Sequence, residues 1–146
     1  MNKSFRGQIQ PDGQKQIRLS TNNGLTGYKI IKFEALSSSP AGNSPESVLK
    51  IFTKEQESVT GSIDFSDPTL LAAMFYEGNN NNTVLTQVVT IFDNMTFNQD
   101  IYVTATSTDG NMNYYVELEQ VKLSKDEAAV ATLKDMRAGP DTNFGF

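Results

Sequence analysis

Cysteine and histidine are both missing from the 146 residues, and together these absences remove whole classes of chemistry. Without cysteine there is no disulfide framework, no thiol nucleophile and no cysteine-bound zinc. Without histidine the chain lacks the usual general base near neutral pH and the commonest transition-metal ligand. Ser-His-Asp and Cys-His catalysis are thereby excluded within one chain, leaving carboxylates, lysine, tyrosine, serine and threonine. Long apolar runs are missing too, so no membrane-spanning segment is expected. The glycines stand singly and mostly in turns, so no phosphate loop is expected. No oxygen-ligand loop with regular alternation points to calcium. The opening Met-Asn-Lys-Ser-Phe-Arg-Gly-Gln has two positive charges but no apolar core, so no secretory signal is expected. The sequons Asn81-Asn82-Thr83 and Asn94-Met95-Thr96 then read as ordinary loop asparagines.

Positive charge is scarce. The formal net charge is −5 and the pI about 4.6, which disfavours a phosphate backbone unless basic residues cluster. Lys15, Arg18, Lys29 and Lys32 form the densest basic group, and strand alternation spreads even these over two faces. Nucleic acid is therefore not an expected partner. The length suits one domain that buries roughly 70% of its unfolded surface without covalent staples.

What is present is β-sheet. Ile101, Val103 and Ala105 alternate with Tyr102, Thr104 and Thr106, and Tyr114, Val116 and Leu118 alternate with Tyr115, Glu117 and Glu119. That two-residue period marks strands with one buried face. Asp109-Gly110 between them is a hairpin signal, because a tight primed turn needs positive φ. Asp12-Gly13 and Asn23-Gly24 give two more such signals, predicting strands over 5–9, 15–19 and 27–36. In the third, Ile31, Phe33 and Ala35 are placed on one face and Tyr28, Lys32 and Glu34 on the other, with Ile30 breaking the pattern. Residues 37–47 form a proline- and serine-rich loop long enough to cross between sheets. Further strands are predicted over 48–52, 59–65, 69–77 and 83–92, the last with Leu85, Val89 and Ile91 on one side.

The chain then changes character. Ser124 and Glu127 form a capping-box pattern, and Val130, Leu133 and Met136, joined by Ala129, mark the apolar face of a helix over 125–137. Gly139-Pro140 stops it, and a polar arm carrying Phe144 and Phe146 follows. The division is a β-sandwich over 1–123 and a helix with tail over 124–146. Aromatics on such an arm fit a partner's groove, so Phe144, Phe146, Leu133 and Met136 are the candidate partner-binding residues.

Asp64, Asp67, Asp93 and Asp100 are the carboxylates whose setting invites inspection for a paired-carboxylate hydrolase. Aspartate before proline or asparagine more often shapes turns through its own backbone hydrogen bonds. Tyr102 and Tyr115, with Tyr114 beside them, make a candidate aromatic platform for a sugar, weighed against ordinary cross-strand packing.

Five segments carry a resemblance: Gly24-Leu-Thr-Gly-Tyr-Lys-Ile30, Ser62-Ile-Asp-Phe-Ser-Asp67, Ile91-Phe-Asp-Asn-Met-Thr-Phe-Asn-Gln-Asp-Ile-Tyr-Val-Thr104, Asn113-Tyr-Tyr-Val-Glu-Leu-Glu119 and Ala131-Thr-Leu-Lys134. Together, over residues 24–134, they resemble small virion proteins of marine tailed phages, of the cyanophage and pelagiphage kind. The resemblance implies a β-sandwich capsid or tail component without enzymatic activity, and no catalytic residue is carried over from it.

The expectation is an all-β, jelly-roll-like antiparallel sandwich with a C-terminal helix and arm. Its expected role is a capsid decoration (cement) protein of the virion, a homo-oligomer such as a trimer bound to capsid or other virion proteins. It would be made in the host cytoplasm, with no cofactor, metal, membrane or nucleic acid. A tail or tail-fibre attachment component and a carbohydrate-binding module are the alternatives.

Overall fold

The computed structural model describes residues 1–78 and 87–137, with side chains through residue 133. Eight strands and one helix are present among them: β1 (Asn2–Ile9), β2 (Gly13–Ile17), β3 (Thr26–Ser37), β4 (Glu46–Phe52), β5 (Leu70–Glu77), β6 (Gln87–Phe92), β7 (Ile101–Ala105), β8 (Met112–Lys122) and α1 (Lys125–Arg137). They form two antiparallel sheets packed face to face, one ordered β1-β8-β3 and the other β2-β7-β4-β5-β6. The ladders β1–β8, β2–β7 and β4–β5 nest inside one another along the chain. That is the order of a long antiparallel ribbon rolled into two layers, the jelly-roll-like sandwich expected. One departure is local: β6 pairs with β5 at the edge of the larger sheet.

The three Xaa-Gly signals reverse the chain, but none of them closes a hairpin. β1 and β2 lie in different sheets, as do β2 and β3, and β7 and β8. Each expected hairpin is instead a corner that carries the chain from one layer to the other. At the first corner the residue with positive φ is Asp12, at 61°, with Gly13 N–H donating to Gln10 O at 2.9 Å. Aspartate tolerates that left-handed region better than most side chains. At the third corner Gly110 has φ 83°, and an added Cβ would stand 2.4 Å from Asn43 Nδ2.

Alternation predicts the core well. Val116 and Leu118 of the smaller sheet and Ile101, Val103, Leu49, Ile51 and Met74 of the larger are fully buried. In β3 the predicted faces need correction. A bulge between Ile30 and Lys32 shifts the register, so Tyr28 and Ile30 point inward before it and Phe33 after it, while Ile31 is exposed. An extra residue in one strand inverts the phase of everything beyond it. The predicted strand over 59–65 is absent: that stretch belongs to a loop over 53–69 covering the outer face of the larger sheet. Lys50 Nζ donates to Ser62 O at 2.7 Å, and Gln14 and Gln56 exchange two hydrogen bonds that pin the same loop. The 69–77 strand is present as β5. Of the 83–92 strand, Gln87–Phe92 is seen, and Leu85 lies outside the described residues.

The capping box forms as read, with Glu127 N–H donating to Ser124 Oγ at 3.2 Å and Ser124 N–H to Glu127 Oε1 at 3.0 Å. The helix face toward the body is not the predicted one. Ala128 is buried and Ala131 and Thr132 half-buried, whereas Ala129, Val130 and Leu133 are exposed. Small residues allow the close approach, and the bulky stripe is left outward.

Candidate functional site

Two features of the surface stand apart from ordinary solvated sheet. The first arises from a mismatch in strand number. A three-stranded sheet cannot cover a five-stranded one when strands sit about 4.8 Å apart. β3 comes closest to β5 and β6 of the opposing layer, and among the described residues β6 is the edge strand of the larger sheet. Val88 and Phe92 on one face of β6 are 47% and 39% exposed, and Val89 and Ile91, on the other face, are 58% and 52% exposed. The predicted grouping of Val89 with Ile91 holds, but on an open face. The strand reads Gln-Val-Val-Thr-Ile-Phe. It has no lysine, proline or inward charge of the kind that normally blunts an edge. Phe65, 67% exposed in the covering loop, joins Leu70, Ile91 and Phe92 around a hollow of about 260 Å³.

The second feature is a groove of about 710 Å³ on the outer face of the three-stranded sheet. Register builds it. Arg6, Tyr115 and Glu34 lie side by side in one row across β1, β8 and β3, and Gln8, Asn113 and Leu36 in the next outward row. The row between them, Gly7, Tyr114 and Ala35, faces inward, so its backbone forms the floor. A Cβ at position 7 would stand 2.8 Å from the Tyr114 ring, so glycine is what lets that ring lie flat beneath. Burial in the same layer pushes the Tyr114 phenol up from its ordinary pKa.

Side chains in the groove are held in place by one another. Asn111 Nδ2 donates to Gln8 Oε1 at 3.0 Å, and Gln8 Nε2 donates to Asn113 Oδ1 at 3.1 Å. Lys32 Nζ lies 5.9 Å from the Tyr115 ring centroid and 3.5 Å from Glu34 Oε1. Lys32 pairs across with Glu117, so it braces the ring from the side away from Asn113. Among the described residues Arg6 makes no ion pair.

The sequence-predicted residues fare unequally. Tyr115 lines the groove, but Tyr102 stands on the outward side of β7 in the other sheet, opposite Gln16 and Phe52. The two tyrosines therefore lie on opposite sides of the sandwich and make no common platform. Leu133 is exposed at 55%. Met136 belongs to α1, its side chain outside the described residues, and Phe144 and Phe146 lie outside them altogether.

The Asp64, Asp67 and Asp100 carboxylates are engaged in shaping the chain, and Asp93 turns it through its backbone N–H, which donates to Leu71 O at 2.9 Å. Asp64 Oδ1 accepts from Ser66 N–H and Oγ, and these bonds hold its pKa below the ordinary value. Asp67 Oδ1 accepts from Thr69 N–H at 2.8 Å and Thr69 Oγ1 at 2.7 Å. Asp100 Oδ1 accepts from the backbone N–H of Leu19 and of Ser20, and Oδ2 accepts from Gln16. Desolvation raises the Asp100 pKa, and these bonds together outweigh it and leave it lowered. Burial lowers the Lys50 pKa, partly offset by Asp67. That ammonium is committed to Ser62 O, with the Phe52 ring centroid 5.3 Å away. Among the described residues no three metal-ligating side chains converge.

Arg6, Gln8, Glu34 and Asn113 were not foreseen as a group. The one available signal was that they sit at outward positions of strands, and register alone brings them together. No family model and no curated protein matches the chain.

Proposed function

We propose that this chain is a virion structural protein that acts by contact: a decoration (cement) protein that binds a capsid shell as a homo-oligomer. The observation that carries the reading is the exposed apolar strand β6 at the edge of the larger sheet. An apolar edge strand exposed on both faces, with Phe65 beside it, is a surface that burial against a neighbour stabilises. The outward Val130 and Leu133 on α1 offer a second apolar contact. The resemblance to small phage virion proteins points the same way. Mechanistically, such a protein favours the assembled shell by mass action, because it binds only the intact arrangement of subunits at a joint. The terminal arm with Phe144 and Phe146 is assigned to the partner's surface in this reading.

The test measures solution mass and co-sedimentation with capsid shells. Wild type is expected to be oligomeric and to pellet with shells. A Val89→Lys, Ile91→Lys double variant should remain folded yet lose at least one of these properties, and deletion of residues 139–146 should weaken shell binding. A wild-type chain that stays monomeric and ignores shells would overturn the proposal, whereas association with tails instead of shells would reassign it to a tail attachment component.

A further inference from the structure

We infer that the groove across β1, β8 and β3 is a binding site for a neutral oligosaccharide. It lies on the smaller sheet, away from the β6 end, so it is independent of the assembly reading.

The chemistry of the two rows argues for a polyol. Arg6 and Glu34 bring one charge of each sign, and Glu34 already shares its carboxylate with Lys32. Lys32 and its register partner Glu117 at the rim add one more charge of each sign, so the site has no excess of either with which to select an anion or a cation. What it offers is directional hydrogen bonding: a guanidinium that only donates, a carboxylate that only accepts, and side-chain amides that do both. Sugar hydroxyls donate and accept at every position, so this mixture suits them.

The aromatic component completes the match. The pyranose C–H face is apolar and packs on a tyrosine ring, and Tyr115 supplies one braced by Lys32. Leu36, exposed at the end of the second row, continues the apolar strip. A peptide strand would be expected to add at a sheet edge, where backbone groups are unpaired. This groove crosses the sheet's face and presents side chains instead.

Size and preorganisation fit as well. Small-molecule sites typically span about 300–1,000 Å³, and this groove is about 710 Å³. Outward rows two residues apart stand about 6.8 Å apart. Asn113 Oδ1 is occupied by Gln8, which turns the Asn113 NH₂ group outward as a fixed donor. Less conformational freedom is then lost on binding.

The experiment is an amide NMR titration of the intact chain with neutral di- to tetrasaccharides of glucose, galactose, mannose and N-acetylglucosamine, at low-millimolar concentration. At least one sugar should perturb residues 6–8, 34–36 and 113–115 selectively. Tyr115→Ala should weaken that binding about tenfold or more, and Glu34→Gln and Asn113→Ala should weaken it with the folded spectrum retained. Tyr102→Ala, on the opposite side, should leave it unchanged. Absence of perturbation by every sugar would overturn the inference. So would perturbations mapping elsewhere, or binding insensitive to all three groove variants.

Discussion

Asn98 donates from Nδ2 to Thr132 Oγ1 at 3.0 Å, and this bond fastens the C-terminal helix to the sandwich. The same NH₂ group reaches Gly24 O at 3.0 Å and Ala128 O at 3.3 Å. With two hydrogens for three acceptors, one bond is shared. Asn98 is buried, so removing it would take the donor from Gly24 O and from Thr132 Oγ1 at a junction between α1 and the β2–β3 corner. Asn98→Ala is expected to lower stability by about 2 kcal/mol, read by thermal or urea unfolding. Proteolysis within 125–137 should accelerate.

Acid sensitivity should trace in part to Asp100. Its folded pKa lies below the ordinary 3.8, so below that pH the unfolded chain binds more protons than the folded one. The stabilisation is complete above the unfolded value and drains away as pH falls through the folded value. Asp64 and Glu127 shift in the same direction, so the variant is what isolates Asp100. Asp100→Asn should cost about 1–2 kcal/mol at neutral pH. The gap to wild type should close below about pH 4, checked by denaturant melts across pH.

Thr104 offers a gain. Its Oγ1 is buried without a hydrogen-bond partner among the described residues, in a residue of 1% exposure. Thr104→Val keeps the shape and removes the orphaned hydroxyl, so it should raise stability by about 1 kcal/mol. A lower midpoint in denaturant would contradict that assignment.

Gly110→Ala combines two penalties, a left-handed φ and a collision with Asn43 Nδ2. A loss of about 1–2 kcal/mol is expected. Adding Asn43→Ala should recover the steric part but not the backbone part, which a double-mutant cycle would resolve.

The sequence made strand positions and inward residues legible wherever alternation was uninterrupted, as in β7 and β8. It did not make sheet membership legible. Asp12-Gly13 and Asp109-Gly110 specify a reversal, but whether the flanking strands then pair or part depends on ladders with residues far away in the chain. β3 misled because a bulge resets the phase, and residues 59–65 misled because their alternation is that of a loop held down by Lys50 and Gln14. The groove was only half visible: Tyr115 could be singled out, but Arg6 and Glu34 become its neighbours solely through two registers spanning most of the chain.

The ladder between β1 and β8 has a consequence for biosynthesis. Among the described residues β1 pairs with no strand other than β8, and β2 with none other than β7. β1 and β2 must therefore wait, without their ladder partners, until β8 and β7 are made. Such distant pairing slows folding, because loop closure must precede the contacts that reward it. Nascent chains ending before residue 112 would expose β1 entirely, making premature termination a direct route to aggregation.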